Sequence, residues 1–225
     1  MAVMRVLVVS DEVKPEIYRG TLRELFHDVE LVLSCGDLPF LYLEYIVTML
    51  NVPLVYVFGN HDEVTYTEWG EELRFPRGCI NASGRVIEVE GLIIAGLEGS
   101  FRYHPHAERQ YTEWEMRWQI ARLEPRLLWN RLTKGRYLDI LLTHAPPWGI
   151  HDAGDPAHRG FKVFLRFMER YRPRYLIHGH THPAAADTTR ARYRGTEVIH
   201  VHGYKVLDIE VGRPQGREAL ISARD

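Results

Sequence analysis

The chain opens on an apolar run, "VMRVLVVS" at 3–10, which stops at Asp11. A short run of this kind, bounded by charged or turn residues, predicts a strand buried on both faces. In "KPEIYRGTLRELF" at 14–26, Pro15 stands near the start, and Ile17, Leu22, Leu25 and Phe26 fall at roughly helical spacing. "VELVLSCGD" at 29–37 predicts a second strand, "FLYLEYIVTML" at 40–50 a helix, and "VPLVYVFGNHD" at 52–62 a third strand. "GRVIEVE" and "LIIAGLEGS", with Gly91 between them, predict a hairpin.

The pattern then changes scale. Between Ala107 and Leu132, the residues Trp114, Trp118, Ala121, Leu128 and Leu132 keep a three-to-four spacing, and Met116, Ile120, Leu123 and Leu127 make a second stripe. A long helix with a broad apolar face is expected, bent or broken at Pro125. "YLDILLTHAPP" predicts a strand, "PAHRGFKVFLRFMERY" at 156–171 a helix, "RYLIHGH" a strand, and "TEVIHVHGYKVLDIEV" two more joined near Gly203. Alternating strands and helices place the chain among α/β proteins. At 225 residues and 45% hydrophobic content, one domain over 1–225 can bury a substantial core.

Charge and cysteines narrow the setting. A net charge of -2 without long single-sign blocks gives no average pull toward nucleic acid or an anionic membrane. The basic clusters "RYRPR" at 170–174 and "RARYR" at 190–194 read as solvated surface. Cys35 and Cys79 sit in strand-like settings and do not suggest a disulfide framework. The opening apolar stretch is too short for a signal peptide or a membrane span. A cytoplasmic protein is expected.

The chemistry emerges when strand ends are read together. Asp11, Asp37, the group Asn60, His61 and Asp62, then His144, and finally His180 and His182 all stand at or just beyond the ends of expected strands. One such residue caps a helix or fixes a turn as readily as it binds anything. Five strands ending this way in one sheet would converge on a single crevice at its carboxyl edge. Carboxylate, amide and imidazole donors without cysteine suit manganese, iron or zinc, and a shared carboxylate would hold two ions ~3.5–4 Å apart, as in two-metal hydrolases.

In type, order and spacing, "GD" at 36–37, "GNHD" at 59–62, "TH" at 143–144 and "GHTH" at 179–182 resemble the motifs of the calcineurin-like metallophosphoesterases. The resemblance spans nearly the whole chain. It implies two facing mixed β-sheets flanked by α-helices, with metals at the sheet edge between them. It implies that Asp37 bridges two divalent ions, that Asn60, His144 and His180 complete one site, and that Asp11 and His182 hold the other. It assigns His61 to the leaving oxygen of a phosphoester as an acid, with Asp62 orienting it, while water activated by the ions attacks phosphorus. The family's first motif carries a histidine where this chain has Val13, so the Asp11/His182 ion is expected to be the weaker of the two. Phe40, in place of a further aspartate, sets the chain apart from the protein phosphatases.

Two loops are candidates for the substrate face. "GSFRYHPHAERQY" at 99–111 could place Arg102 over the crevice. "GIHDAGDPAHRG" at 149–160 has Asp155 and Pro156 as an N-cap and first-turn proline. That helix start would aim backbone NH groups, His158 and Arg159 at a phosphate. The expected partner is a small phosphorylated substrate, monoester or diester, with no membrane and no nucleic acid. A nuclease would need a continuous basic groove. A non-catalytic nucleotide or metal sensor would have little use for His61 and Asp62.

Overall fold

Successive side chains on a strand point to opposite faces, so an apolar run without polar interruption feeds two layers at once. In the computed structural model, which describes residues 2–181 and 189–212, the first strand shows this directly. Its Val6 and Val8 enter one core, and its Leu7 and Val9 enter another.

The elements in chain order are β1 (Ala2–Ser10), α1 (Leu22–Leu25), β2 (Leu31–Ser34), α2 (Phe40–Leu50), β3 (Leu54–Tyr56), β4 (Thr65–Tyr66), β5 (Glu72–Leu73), β6 (Ile80–Asn81) and β7 (Arg85–Val89). They continue with β8 (Leu92–Leu97), β9 (Ser100–Phe101), β10 (Gln110–Tyr111), α3 (Glu113–Lys134), β11 (Ile140–Thr143) and α4 (Lys162–Tyr171). The last four are β12 (Tyr175–His178), β13 (Arg190–Tyr193), β14 (Thr196–His200) and β15 (Gly203–Val211). One sheet has the order β15-β1-β2-β3-β6, the other β13-β14-β12-β11-β8-β7. Both are mixed, with parallel centres and antiparallel edge pairs β1–β15, β13–β14 and β7–β8. The hairpin about Gly91 forms as expected.

Residues from both sheets, among them Val6, Leu33, Val55, Ile94, Leu142 and Ile177, build the core between them. Outside the first sheet, Leu7, Val32 and Leu54 pack under Leu43, Ile46 and Leu50 of α2. Outside the second, Ile93, Leu141 and Leu176 pack under α3 and α4. The layering is helix, sheet, sheet, helix, which is the fold class expected. No helix among the described residues is long and apolar enough to cross a membrane.

Three helices differ from expectation, each for a local reason. The expected helix at 14–26 shrinks to one turn, Leu22–Leu25, because Gly20 removes helix propensity where it is needed; Ile17 is buried from a turn instead. The long helix starts at Glu113 and not at Ala107. Thr112 and Glu115 form a reciprocal capping box there, and the helix runs through Pro125 unbroken to Lys134. Of its two stripes only one is core: Met116, Ile120, Leu123 and Leu127 are buried, whereas Trp114, Trp118, Leu128 and Leu132 face out.

The third difference bears on function. α4 begins at Lys162, six residues after Pro156, and Asp155 caps only a turn by accepting the NH groups of Ala157 and His158 at 2.9 and 3.0 Å. The true helix start is already filled. Glu113 of α3 accepts the NH of Lys162 at 2.6 Å and of Val163 at 3.1 Å, so a carboxylate occupies the position expected for a substrate phosphate. Glu113→Ala should therefore lower unfolding free energy by about 1 kcal/mol through loss of this cap. Urea denaturation checks it, with the neighbouring exposed Trp114→Ala expected to stay within ~0.5 kcal/mol of wild type.

Candidate metal centre

The carboxyl ends of five strands meet along one edge, three from the first sheet and two from the second. β1 leads to Asp11, β2 to Asp37, β3 to Asn60, β11 to His144 and β12 to His180. Backbone bonds tie neighbouring ends: Asp11 NH to Gly36 O at 3.2 Å in one sheet, Gly179 NH to His144 O at 3.1 Å in the other. Across the sheets, the Asp11 carboxylate accepts the NH of His180 at 3.0 and 3.1 Å.

This closeness depends on missing side chains. A Cβ at Gly59 would lie 1.9 Å from Asp37 Oδ1, and one at Gly179 would lie 2.0 Å from Ser10 Oγ. Three of the candidate ligands also adopt the left-handed region, with φ of 62° at Asp11, 56° at Asp37 and 69° at His180. Non-glycine residues rarely hold this conformation, and it concentrates at functional sites.

Asp37, His144 and His180 each offer a donor atom within 4.8 Å of the others. Asn60 joins them, its Oδ1 3.0 Å from His144 Nε2 and its Nδ2 donating to Tyr103 Oη at 3.2 Å. Each imidazole is set by a carbonyl. His144 donates Nδ1–H to Cys35 O at 2.7 Å, leaving Nε2 toward Asp37 Oδ2 at 3.2 Å. His180 donates Nε2–H to Ala157 O at 2.7 Å, leaving the Nδ1 lone pair. Such outer bonds are what orient metal-binding histidines. One carboxylate, one amide oxygen and two oriented imidazoles fit a borderline divalent cation.

The electrostatics of the metal-free chain agree. Burial resists charge on Asp37, but the adjacent His144 and the His61 NH at 2.8 Å outweigh it and hold the carboxyl at about 2. Burial likewise works against a charged His144, and the Asp37 carboxylate overcomes it, raising the imidazole to about 9. His180 is pushed down to about 3 by burial and by His144, so it is neutral and ready to coordinate.

The remaining expectations meet the structure unevenly. Asp11 lies beside the cluster with its carboxylate on the His180 NH, and His182 lies outside the described residues. Glu12, next to Asp11, pairs with Lys14 at 2.5 Å and His202 at 3.2 Å. Asp62 does not hold the His61 ring. Its oxygens accept the NH groups of Gly59, Asp37 and Leu38 at 2.7–3.2 Å, locking the "GNHD" turn to the "CGDL" turn, and burial raises its carboxyl to about 6. His61 itself is exposed.

Arg102 is turned aside, donating to Gln110 O and to Glu115 Oε1 at 3.0 Å. Arg159 is stacked between Phe101 and Trp148, 4.6 and 4.8 Å from their ring centres. Both line a cavity of about 650 Å³ with Asp152 and Asp155. His158 stays near the centre, its ring 5.2 Å from that of His180 and its Nδ1 on Asp155 at 2.9 Å.

Sequence reasoning missed Arg109. It packs 4.5 Å over Phe58, donates to the Asp62 carbonyl, and with Asn60, His61, Tyr103 and His104 lines a cavity of about 470 Å³. No periodicity or motif marks it. His178, the first histidine of "HGHTH", is not part of the cluster; it bonds His151 at 3.0 Å and stacks on His200 at 5.1 Å.

Donors of these types, on facing edges of two mixed sheets, form a candidate metal-binding group in an α/β sandwich. The chain belongs to the calcineurin-like phosphoesterases, whose family profile matches residues 4–184. An uncharacterized protein of Haemophilus influenzae is 25% identical over 166 residues, covering 64% of this chain and 68% of that one. The crystal structure of TT1561 from Thermus thermophilus superposes with a TM-score of 0.62 at 15% identity, over 92% of this chain and 95% of that chain. That likeness bears on the fold. A Vps29 structure from Entamoeba histolytica is more distant, with a TM-score of 0.39 at 16% identity over 89% of this chain and 74% of that one.

The raised His144 gives a pH prediction. Its pKa of about 9 lies above the ordinary 6.5, so in the metal-free chain the proton stabilises the fold fully below pH 6.5, and this stabilisation is lost as pH rises through 9. A cation must displace that proton. Metal affinity should rise about tenfold per pH unit between roughly 7 and 9 and flatten above, read as dissociation constants for zinc or manganese against pH. A flat profile over that range would contradict the proton competition.

Proposed function

We propose that the protein is a hydrolase of a small phosphodiester or phosphomonoester, working with two divalent ions. The observation that carries this is the meeting of partly exposed Asp37 and Asn60 with buried His144 and His180, each imidazole oriented by a carbonyl group. Those four residues would hold one ion. Asp37 with Asp11 and His182 would hold the second, more weakly because Val13 offers no donor. Divalent cations held by these residues would polarise phosphoryl oxygens and lower the pKa of bound water.

The chain's own residues do the rest. The backbone NH of His61 bonds Asp37 Oδ1 at 2.8 Å, and the residue is exposed and lines a cavity with Tyr103, His104 and Arg109. From there it supplies a proton to the departing alkoxide. Asp62 contributes indirectly by fixing the turn that carries His61. Arg109 supplies positive charge on the same cavity wall for an anionic ester.

The test combines metal analysis with a panel of mono- and diesters assayed with added manganese. Protein purified without added metal should hold closer to one ion than two and gain activity as manganese is titrated. Asp37→Ala should lose more metal and more rate than any other single substitution among these ligands; near-normal activity of that variant would refute the two-ion reading.

His61→Ala separates its role from metal binding. It should retain metal and lose about 10²- to 10⁴-fold in rate, with a smaller loss on nitrophenyl esters, whose leaving group needs no proton. Equal losses on good and poor leaving groups would remove His61 from the acid role.

A further inference from the structure

The outward stripe of α3 is the largest feature that the metal centre does not use. Trp114, Trp118, Ala121, Pro125, Leu128 and Leu132 recur at alternating spacings of four and three, which keeps them on one face of the helix for roughly 27 Å. That face points away from the core residues Met116, Ile120, Leu123 and Leu127. Trp114 is 65% exposed, Trp118 53%, Leu128 46%, the adjacent Trp129 56% and Leu132 80%. Exposed apolar residues scattered singly need no explanation; a continuous seam holding Trp114 and Trp118, with Trp129 beside it, does.

The charge beside the seam selects its partner. The glutamates of α3 are all engaged within the molecule: Glu113 caps α4, Glu115 closes the capping box and pairs Arg102, and Glu124 takes Tyr171 Oη and Arg170. Arg117 and Arg131 border the seam on one side, Arg122 and Arg126 on the other. Arg117, Arg122 and Arg126 make no ion pair with any carboxylate among the described residues. Helices α3 and α4 together carry eight arginines and lysines against four glutamates, in a chain of net charge -2. This layer is therefore net positive within a chain that is slightly negative as a whole.

A second copy fits poorly. Antiparallel pairing of two such seams, Trp114 on Leu132 and Trp118 on Leu128, would bring the flank carrying Arg122 and Arg126 in one copy against the same flank of the other. The combination of interfacial tryptophans, leucines and flanking arginines matches a helix that lies flat in the headgroup region of an anionic bilayer. We propose that α3 is a docking surface for anionic membrane lipid, with Trp114 and Trp118 seated among the headgroups and the arginines on either side meeting lipid phosphates.

The experiment uses the full chain with vesicles of phosphatidylcholine alone and with one third phosphatidylglycerol. Wild type should sediment with the anionic vesicles only, release at high salt, and shift its tryptophan emission to the blue on binding. Trp114→Ser with Trp118→Ser should weaken binding at least tenfold, and Arg122→Gln or Arg126→Gln about fivefold each. Phosphoesterase activity on a soluble ester and the melting temperature should stay at wild-type values, since these side chains are exposed. Failure of wild type to bind anionic vesicles would overturn the proposal, including a case where only an acidic protein binds this face. Unchanged vesicle binding by the tryptophan variant would do the same. So would a dimer in solution that the tryptophan variant converts to monomer, because the seam would then belong to a second copy.

Discussion

Asp37 is a carboxylate with only a tenth of its side chain exposed, placed 3.2 Å from a fully buried imidazole. Neither group tolerates burial alone, because an isolated charge in an apolar interior costs several kcal/mol or gives up its charge. Together with the backbone NH of His61 they stabilise each other, and the rest of the centre is arranged around that pair. Cys35, one residue beyond β2, supplies the carbonyl that turns His144. Asp62 supplies no ligand but ties together the two turns that carry Asp37 and Asn60. The pair thus links the two sheets at the edge where the hydrophobic core between them ends.

Much of this was legible in the sequence, and the reason is physical. Buried strands must be apolar on both faces, so the residue at which "VLVVS" or "ILLT" gives way to a polar side chain is visible without a structure. Five such breaks in Asp, Asn and His pointed to one crevice, and four of those residues now share it. The turn chemistry was less legible. Asp155 followed by Pro156 has the sequence of a helix start, yet Asp152–Arg159 stays irregular and delivers the Ala157 carbonyl to His180. Glu113, 49 residues earlier in the chain, caps the helix that follows. Arginines were the least legible of all. Arg102 and Arg109 stand seven residues apart in one loop, and only tertiary contacts send one toward Glu115 and the other over Phe58.

The long helix shows what periodicity can and cannot decide. Two apolar stripes at helical spacing predicted a broad buried face, but a single sheet can cover only one side of a helix. The sequence pattern does not say which stripe wins. Tertiary packing does: Met116, Ile120, Leu123 and Leu127 are buried on the side of α3 that lies over β7 and β8, and the tryptophan stripe is left outside. The same constraint explains the polar side of the helix, where the glutamates turn inward to caps and ion pairs and the arginines remain at the surface.

The bond between Asp11 and His180 joins residues 169 positions apart. His144 reaches back 109 positions to Cys35. Contacts of such sequence separation form only after the chain between them has been organised, since closing long loops costs entropy before any bond repays it. The first sheet can assemble most of its parallel strands early, but the edge that carries the ligands is complete only when β12 arrives beside β11. A nascent or partly folded chain therefore has scattered donors and no centre, so a metal held there would be acquired after folding and would not nucleate it.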